Sequence, residues 1–328
     1  MAYDGRVLRI ALQNYETDRA RHEAELEERR SAIFARQPRL KEIDAELRRT
    51  MSRILSQALR RGTDPVPAIE ALRDENMSLQ EERRRLLSDM GLPEDALENK
   101  PLCALCGDTG YRGGMMCRCL RDYYAREQKK ELSKLLDVGN QSFETFSLEW
   151  YSEEDDSNVG ISPRENMDWV CRTCKRFAEN FDGESGNLLF CGAPGLGKTH
   201  LSAAIAREVA DCGWSVVYDT ANHIFERFEA QKFGRDDDAE NDVNRVLHCD
   251  LLILDDLGTE MTTNFVQSAL YQIVNTRLME RRSTLISTNL MVHEISNRYS
   301  EQIASRIEGE YRVLPFFGED IRKLKRNR

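Results

Sequence analysis

The string Gly192-Ala193-Pro194-Gly195-Leu196-Gly197-Lys198-Thr199 constrains this chain more than any other segment. It follows an apolar run, Leu188 to Cys191, and leads into a helical pattern that opens around His200. Strand, glycine-rich turn and helix in that order form a phosphate-binding loop. The glycines let the backbone curl so that successive N–H groups point at phosphate oxygens. The helix N-terminus adds its partial positive charge. Lys198 reaches the β- and γ-phosphates, and the Thr199 hydroxyl binds Mg²⁺. A glycine-rich turn without a ligand would leave the lysine and threonine together unexplained. The eight loop residues and His200 are therefore the cofactor-binding candidates, and Lys198 is also a catalytic one.

A loop of this kind needs a second strand carrying carboxylates. Residues 251–256 read LLILDD, four apolar residues and then two aspartates at the carboxyl end of a buried strand. Ligands gather at that end in parallel α/β sheets. Asp255 is expected to hold the Mg²⁺ and Asp256 to orient or deprotonate the attacking water. Asp256 capping the next turn is the alternative. Residues 284–289, TLISTN, read as another buried strand. Its Asn289 is placed to bond the γ-phosphate or the lytic water, while Ser287 and Thr288 suit a plain strand end.

Around these motifs, LLFCG, SVVYD, LLILDD and STLISTN are strand-like runs separated by amphipathic stretches, the signature of a parallel sheet flanked by helices. A helix is expected over Asn166 to Phe181, and the acidic run Glu153-Glu154-Asp155-Asp156 suits an exposed loop. The first ninety residues read as helix. Leu40, Ile43, Leu47, Met51, Ile54 and Leu55 recur at three- and four-residue steps, and Leu72, Leu79 and Leu86 at seven. Pro38 and the segment Gly62 to Pro67 divide this region into about three helices. One narrow apolar seam among dense charges suits a small bundle or coiled coil whose free faces dock a partner.

Nine cysteines are many for a chain without a signal-peptide core, and a cytoplasmic location is expected. No run is apolar and long enough to cross a bilayer, so no membrane partner is expected. Cys103-x2-Cys106 and Cys117-x-Cys119 flank a glycine-rich turn, and four thiolates suit a closed, structural Zn²⁺ site. Free thiols or a redox pair are the alternatives. Cys171 and Cys174 sit on a helical pattern as packing residues, and Cys191, Cys212 and Cys249 read as small core residues. The net charge of -10 does not by itself announce a nucleic-acid binder. The domains expected are a helical region over 1–99, a zinc module with its linking helix over 100–136, and an ATPase domain over 137–328.

The loop, the aspartate pair and a strand ending in Asn289, in that order, resemble the AAA+ ATPases. GAPGLGKTHL, LLILDDLGTE and ISTN followed by IASRI resemble the bacterial replicative helicase loaders of the DnaC/DnaI type, and the cysteine module resembles the DnaI-like branch. The resemblance spans roughly 100–322. It implies a Mg²⁺-dependent ATPase that helps place a replicative hexameric helicase on single-stranded DNA, with hydrolysis as the timing switch. It implies that the zinc module and N-terminal helices grip the helicase. It implies that Arg306, in Ala304-Ser305-Arg306-Ile307, is an arginine finger inserted into a neighbour's site, with Arg298 as competitor, and hence self-association with ATP. It implies a sensor arginine at Arg322. By resemblance, Phe143 and Phe146 are candidates for the adenine pocket. Single-stranded DNA contacts are expected among Phe225, Arg227, Phe228, Lys232 and Phe233, with Lys232 and Phe233 foremost, although the adjacent run Asp236-Asp237-Asp238 opposes phosphate. A transposition-helper ATPase and a nucleotide-binding adaptor with little hydrolysis are the alternatives.

Overall fold

The computed structural model describes residues 3–58, 66–135, 141–157, 159–234 and 239–326. The run Asp236 to Asp238, the segment 59–65 and the side chains of Met51, Ile54 and Leu55 lie outside the described residues. The chain forms two compact units: Asn14–Cys117, and Met1–Gln13 with Arg118–Arg328.

In the first unit, helices α1 (Gly5–Arg36), α2 (Pro38–Ala58) and α3 (Val66–Asp89) follow the breaks expected at Pro38 and near Pro65. Pro38 opens α2, a position where its missing N–H costs nothing. The apolar seam is real but narrow. Ile33, Leu40, Leu87, Ala96 and Leu97 form one buried cluster, so Leu87 rather than the expected Leu86 carries the last buried position of α3. Arg39 clamps α2 to α3 through a two-bond fork to Glu82, at 2.9 and 3.0 Å. After α3, strands β1 (Tyr111–Arg112) and β2 (Met115–Met116) make a small hairpin closed by Gly113-Gly114.

In the second unit, α4 (Arg118–Leu135) receives Val7 and Ala11 of the first turns of α1 against its buried Tyr124. Helix α5 (Pro163–Glu179) starts with Ser162 as N-cap and Pro163 in its first turn, a few residues before the predicted start. Then come β3 (Asn187–Gly192), α6 (Lys198–Asp211), β4 (Val216–Thr220), α7 (Ala221–Phe233), α8 (Ala239–His248), β5 (Leu251–Leu257), α9 (Asn264–Met279), β6 (Ser283–Thr288), α10 (Val292–Arg298), α11 (Glu301–Glu310), β7 (Tyr311–Phe316) and α12 (Ile321–Arg326). The five strands run parallel in the order β4-β5-β6-β3-β7. The fold class read from the sequence is the one observed. Strand β7 was not legible, because Arg312 and Pro315 interrupt its apolar pattern. It lies at a sheet edge, where a proline is tolerated.

Alternation along the strands divides the core in two. Leu188, Phe190, Val216, Tyr218, Leu251, Ile253 and Leu285 face α5 and α6. Leu189, Val217, Leu252, Leu254 and Ile286 face the helices of the other side, with Phe225 and Phe228 of α7 among them. At full burial these side chains contribute about 1.5–3 kcal/mol each. Phe225 and Phe228 are each 4% exposed, so both are core residues and not DNA contacts; a helix lying on a sheet must bury one face. Arg227, beside them, is bound to Asp219 at 2.5 Å. Cys212 corrects another expectation: it follows the C-terminus of α6 and is exposed, whereas Cys174, Cys191 and Cys249 are buried.

Candidate nucleotide site and cysteine centre

A cleft of about 470 Å³ opens at the carboxyl ends of β3, β5 and β6. Pro194 to His200, Asp256, Asn289 and Arg322 line it, together with Phe146, Trp150, Tyr151 and Lys325. The sheet order brings Asp256 and Asn289 beside the loop, because β6 pairs with both β3 and β5. Gly192 and Ala193 do not line the cleft. They offer carbonyls to Lys198 Nζ, at 2.6 and 2.8 Å. Lys198 is buried, which lowers its pKa, while Asp256 and Asp255 pull it back up.

Asp255 is 3% exposed and stands behind Asp256. The Tyr218 hydroxyl donates to its Oδ2 at 2.6 Å, and the Asp256 N–H donates to its Oδ1 at 3.1 Å. Asp256 opens onto the cleft with a φ of 54°, left-handed backbone that costs a non-glycine residue about 1–2 kcal/mol. The Thr259 hydroxyl holds that turn by donating to the Asp256 carbonyl at 2.9 Å. Partial burial of its carboxyl, and then the Asp255 charge, raise the Asp256 pKa; Lys198 and Arg322 oppose the rise. Asn289 reaches in over Gly258, where a Cβ would stand 3.0 Å from Asn289 Oδ1.

The base of the loop is buttressed by residues the sequence did not single out. Tyr151 donates its hydroxyl to the Leu196 carbonyl at 2.9 Å. The Ile321 N–H donates to the Gly195 carbonyl at 3.0 Å, tying α12 to the loop. Phe146 packs on His200 edge-on, with ring centroids 5.3 Å apart, whereas Phe143 packs into the core outside the cleft. His200 Nε2 donates to the Ser142 carbonyl at 2.9 Å, and burial lowers its pKa.

The other arginine candidates lie elsewhere. Arg306 stacks on Tyr271, 4.8 Å from its ring centroid, and donates to Asn275 Oδ1 and to the Tyr271 hydroxyl at 3.2 and 3.0 Å. It is outside its own cleft. Arg298 donates to the Glu260 carbonyl at 2.6 Å. Lys232 sits 5.0 Å from the Phe265 ring centroid, and Phe233 is exposed at the end of α7. An unexpected buried arginine, Arg277, is fully enclosed; it donates to the carbonyls of Val246, Leu247, Cys249 and Ser283 and to Thr284 Oγ1.

The four thiols of Cys103, Cys106, Cys117 and Cys119 converge, all sulfurs lying within 4.8 Å of one another. Tetrahedral Zn²⁺ with bonds of about 2.3 Å needs sulfurs roughly 3.8 Å apart. The Cys103 and Cys117 sulfurs are 3.8 Å apart. Asp108 Oδ1 and Oδ2 accept the N–H groups of Cys103 and Leu102 at 2.8 and 2.9 Å, fixing the turn between the first two cysteines. The cluster is chemically and geometrically fit for zinc. Cys171 and Cys174 join no such group among the described residues.

The parallel sheet, its phosphate loop after β3 and the carboxylate pair on β5, with β6 between those two strands, are the features of a P-loop nucleotide-binding domain of the AAA+ class. Residues 172–326 match the family described as IstB-like ATP binding protein. That stretch thus resembles an IstB/DnaC-type AAA+ domain. It is 29% identical over 133 residues to the replicative helicase loader DnaC of Escherichia coli (strain K12), a match covering 40% of this chain and 54% of that protein. The chain spans about half the length of the curated relatives it matches first. Solved structures similar to it include the DnaC helicase loader, with 23% identity, a TM-score of 0.45 and coverage of 54% of this chain and 97% of that one. DnaI is another, with 21% identity, a TM-score of 0.44 and coverage of 58% and 93%. Among the described residues no helix is long and apolar enough to cross a membrane.

Proposed function

We propose that this chain is an ATP-dependent helicase loader, which binds a replicative hexameric helicase and helps place it on single-stranded DNA. The observation that carries the reading is an IstB/DnaC-type AAA+ cleft in a chain that also holds a four-thiol cluster just ahead of it. In this reading the loop amides and Lys198 hold the triphosphate, and Arg322 touches it from α12. Thr199 and Asp255 supply the hard oxygen donors that Mg²⁺ takes. The bound Mg²⁺ neutralises charge on the phosphates. Asp256 accepts a proton from the attacking water, and Asn289 orients that water. Arg306 acts in trans on a neighbour's site, so ATP favours self-association. The cysteine module and N-terminal helices grip the helicase, and Lys232 with Phe233 offers a charge and a stacking face to single-stranded DNA. Hydrolysis then works as a switch of partner affinity rather than as a source of force.

Size-exclusion chromatography with light scattering, on mixtures with the replicative helicase of the same cell, tests the reading. A complex whose stability differs with and without ATP is the expected result. No complex in any nucleotide state would leave the nucleotide site standing, sink the loader reading, and move a transposition-helper role to the front.

A further inference from the structure

We infer that Tyr218 is the positioning residue for the Asp255 carboxylate, fixing the orientation from which that carboxylate would serve a divalent cation beside the phosphate loop. The inference rests on the nucleotide and Mg²⁺ reading of the cleft and adds to it a residue that none of the motifs contains.

The argument begins with register. In the parallel pair β4–β5, Tyr218 is opposite Ile253 and Thr220 is opposite Asp255. Tyr218, Ile253 and Asp255 therefore share a face of the sheet, with Asp255 one side-chain step further along the strands. A phenol spans that step: the Tyr218 hydroxyl donates to Asp255 Oδ2 at 2.6 Å. This is the length of a strong bond from a neutral hydroxyl to a carboxylate. The ring itself is wedged in the core face of β3, β4, β5 and α6 and is 6% exposed, so the donor is fixed in place.

A carboxylate needs such help. Its terminal torsion has broad wells, so the chain direction alone does not orient the two oxygens. At Asp255 two donors fix it from opposite sides, Tyr218 on Oδ2 and the Asp256 N–H on Oδ1 at 3.1 Å. Each oxygen keeps lone-pair capacity for a further partner. The backbone donor is the N–H of the next residue, Asp256, which lies in the peptide unit that Asp255 itself begins. The hydroxyl is thus the only side-chain donor found on this carboxylate among the described residues.

Tyr218→Phe keeps the ring and removes the donor. The readout is the Mg²⁺ concentration at which a fluorescent, non-hydrolysable ATP analogue reaches half-maximal binding, measured on the full chain, with analogue binding in EDTA and the melting temperature alongside. The expected result is a midpoint raised by about tenfold, the lower end of what losing such a supporting partner costs a metal site, with binding in EDTA unchanged. In an Asp255→Asn background the same change is expected to add no further shift. An unchanged midpoint in a folded Tyr218→Phe protein overturns the inference. Should that variant fail to fold, 3-fluorotyrosine at 218 gives a second test. Its ¹⁹F resonance is expected to move when Mg²⁺ is added to the analogue complex, and a resonance indifferent to Mg²⁺ overturns the inference. If the parent itself binds the analogue without regard to Mg²⁺, the reading of the cleft fails, a result distinct from failure at Tyr218 alone.

Discussion

Asp320 occupies the space that a side chain at Gly195 would need: a Cβ built on Gly195 would stand 2.0 Å from Asp320 Oδ1. Gly195 also has a φ of 80°, which L side chains rarely adopt. Gly195→Ala is therefore expected to push α12 away from the loop and reshape the cradle of N–H groups. Loss of nucleotide binding by at least about tenfold, each tenfold being about 1.4 kcal/mol, is the expected result in a titration with a fluorescent ATP analogue. Wild-type affinity would mean that α12 does not brace the loop.

Asp256 carries an acid–base prediction with two signs. Its pKa is raised, by partial burial first and by Asp255 second. For hydrolysis, the base is lost as pH falls, and the loss is expected at a higher pH than for an unperturbed aspartate. For stability the sign reverses. The native state holds the Asp256 proton more tightly than the unfolded chain, so this group favours folding as pH falls through its raised pKa and disfavours it above. Asp256→Asn removes the charge and puts at a φ of 54° a residue that tolerates left-handed backbone. A melting temperature higher by on the order of 1–2 °C at neutral pH, with turnover reduced by about 10² or more, is expected from calorimetry and phosphate release. A variant that hydrolyses ATP like the parent would remove Asp256 from the catalytic set.

Arg277 is a stability prediction. Its guanidinium is wholly buried and satisfies carbonyls at the end of α8 and the start of β6. Arg277→Met would leave those carbonyls buried without donors, each costing about 1–3 kcal/mol. A loss of roughly 3–5 kcal/mol in urea denaturation is expected. A loss under about 1 kcal/mol would mean that water replaces the guanidinium.

The cysteine cluster predicts bound metal. One zinc per chain is expected by elemental analysis of protein purified without added metal, and Cys103→Ser or Cys117→Ser is expected to lower it. Because a four-thiol site with no open position is structural, chelation should expose residues 100–117 to protease and leave ATP binding intact. Zinc-free protein with the same protease pattern would argue for free thiols.

Arg306 makes a prediction about assembly. It is held by Tyr271 and Asn275 of its own chain, outside its own cleft. Arg306→Ala is expected to keep ATP binding and lose hydrolysis by about 10³-fold. Mixing it with Asp256→Asn protein is expected to recover part of the activity, since a mixed assembly can place an intact arginine against an intact cleft. No recovery in any ratio would count against action in trans.

The sequence alone determined the class of the fold and pointed to the strings that gather at the cleft. The loop from Gly192 to Thr199, the Asp255–Asp256 pair and the four clustered cysteines are short strings set by local backbone geometry, so spacing was enough to find them. Strands such as LLILDD were legible because both faces are buried and the apolar run is unbroken. What only the tertiary structure decided is which distant residues meet that machinery. Tyr218 reaches Asp255 across 37 positions, and Asp320 lies against Gly195 from the far side of the domain sequence. Phe225 and Phe228 turned inward while Phe233, on the same helix, stayed exposed. Each of these depends on strand order, register and which face a helix lays on the sheet, and those are settled by burying the whole core at once.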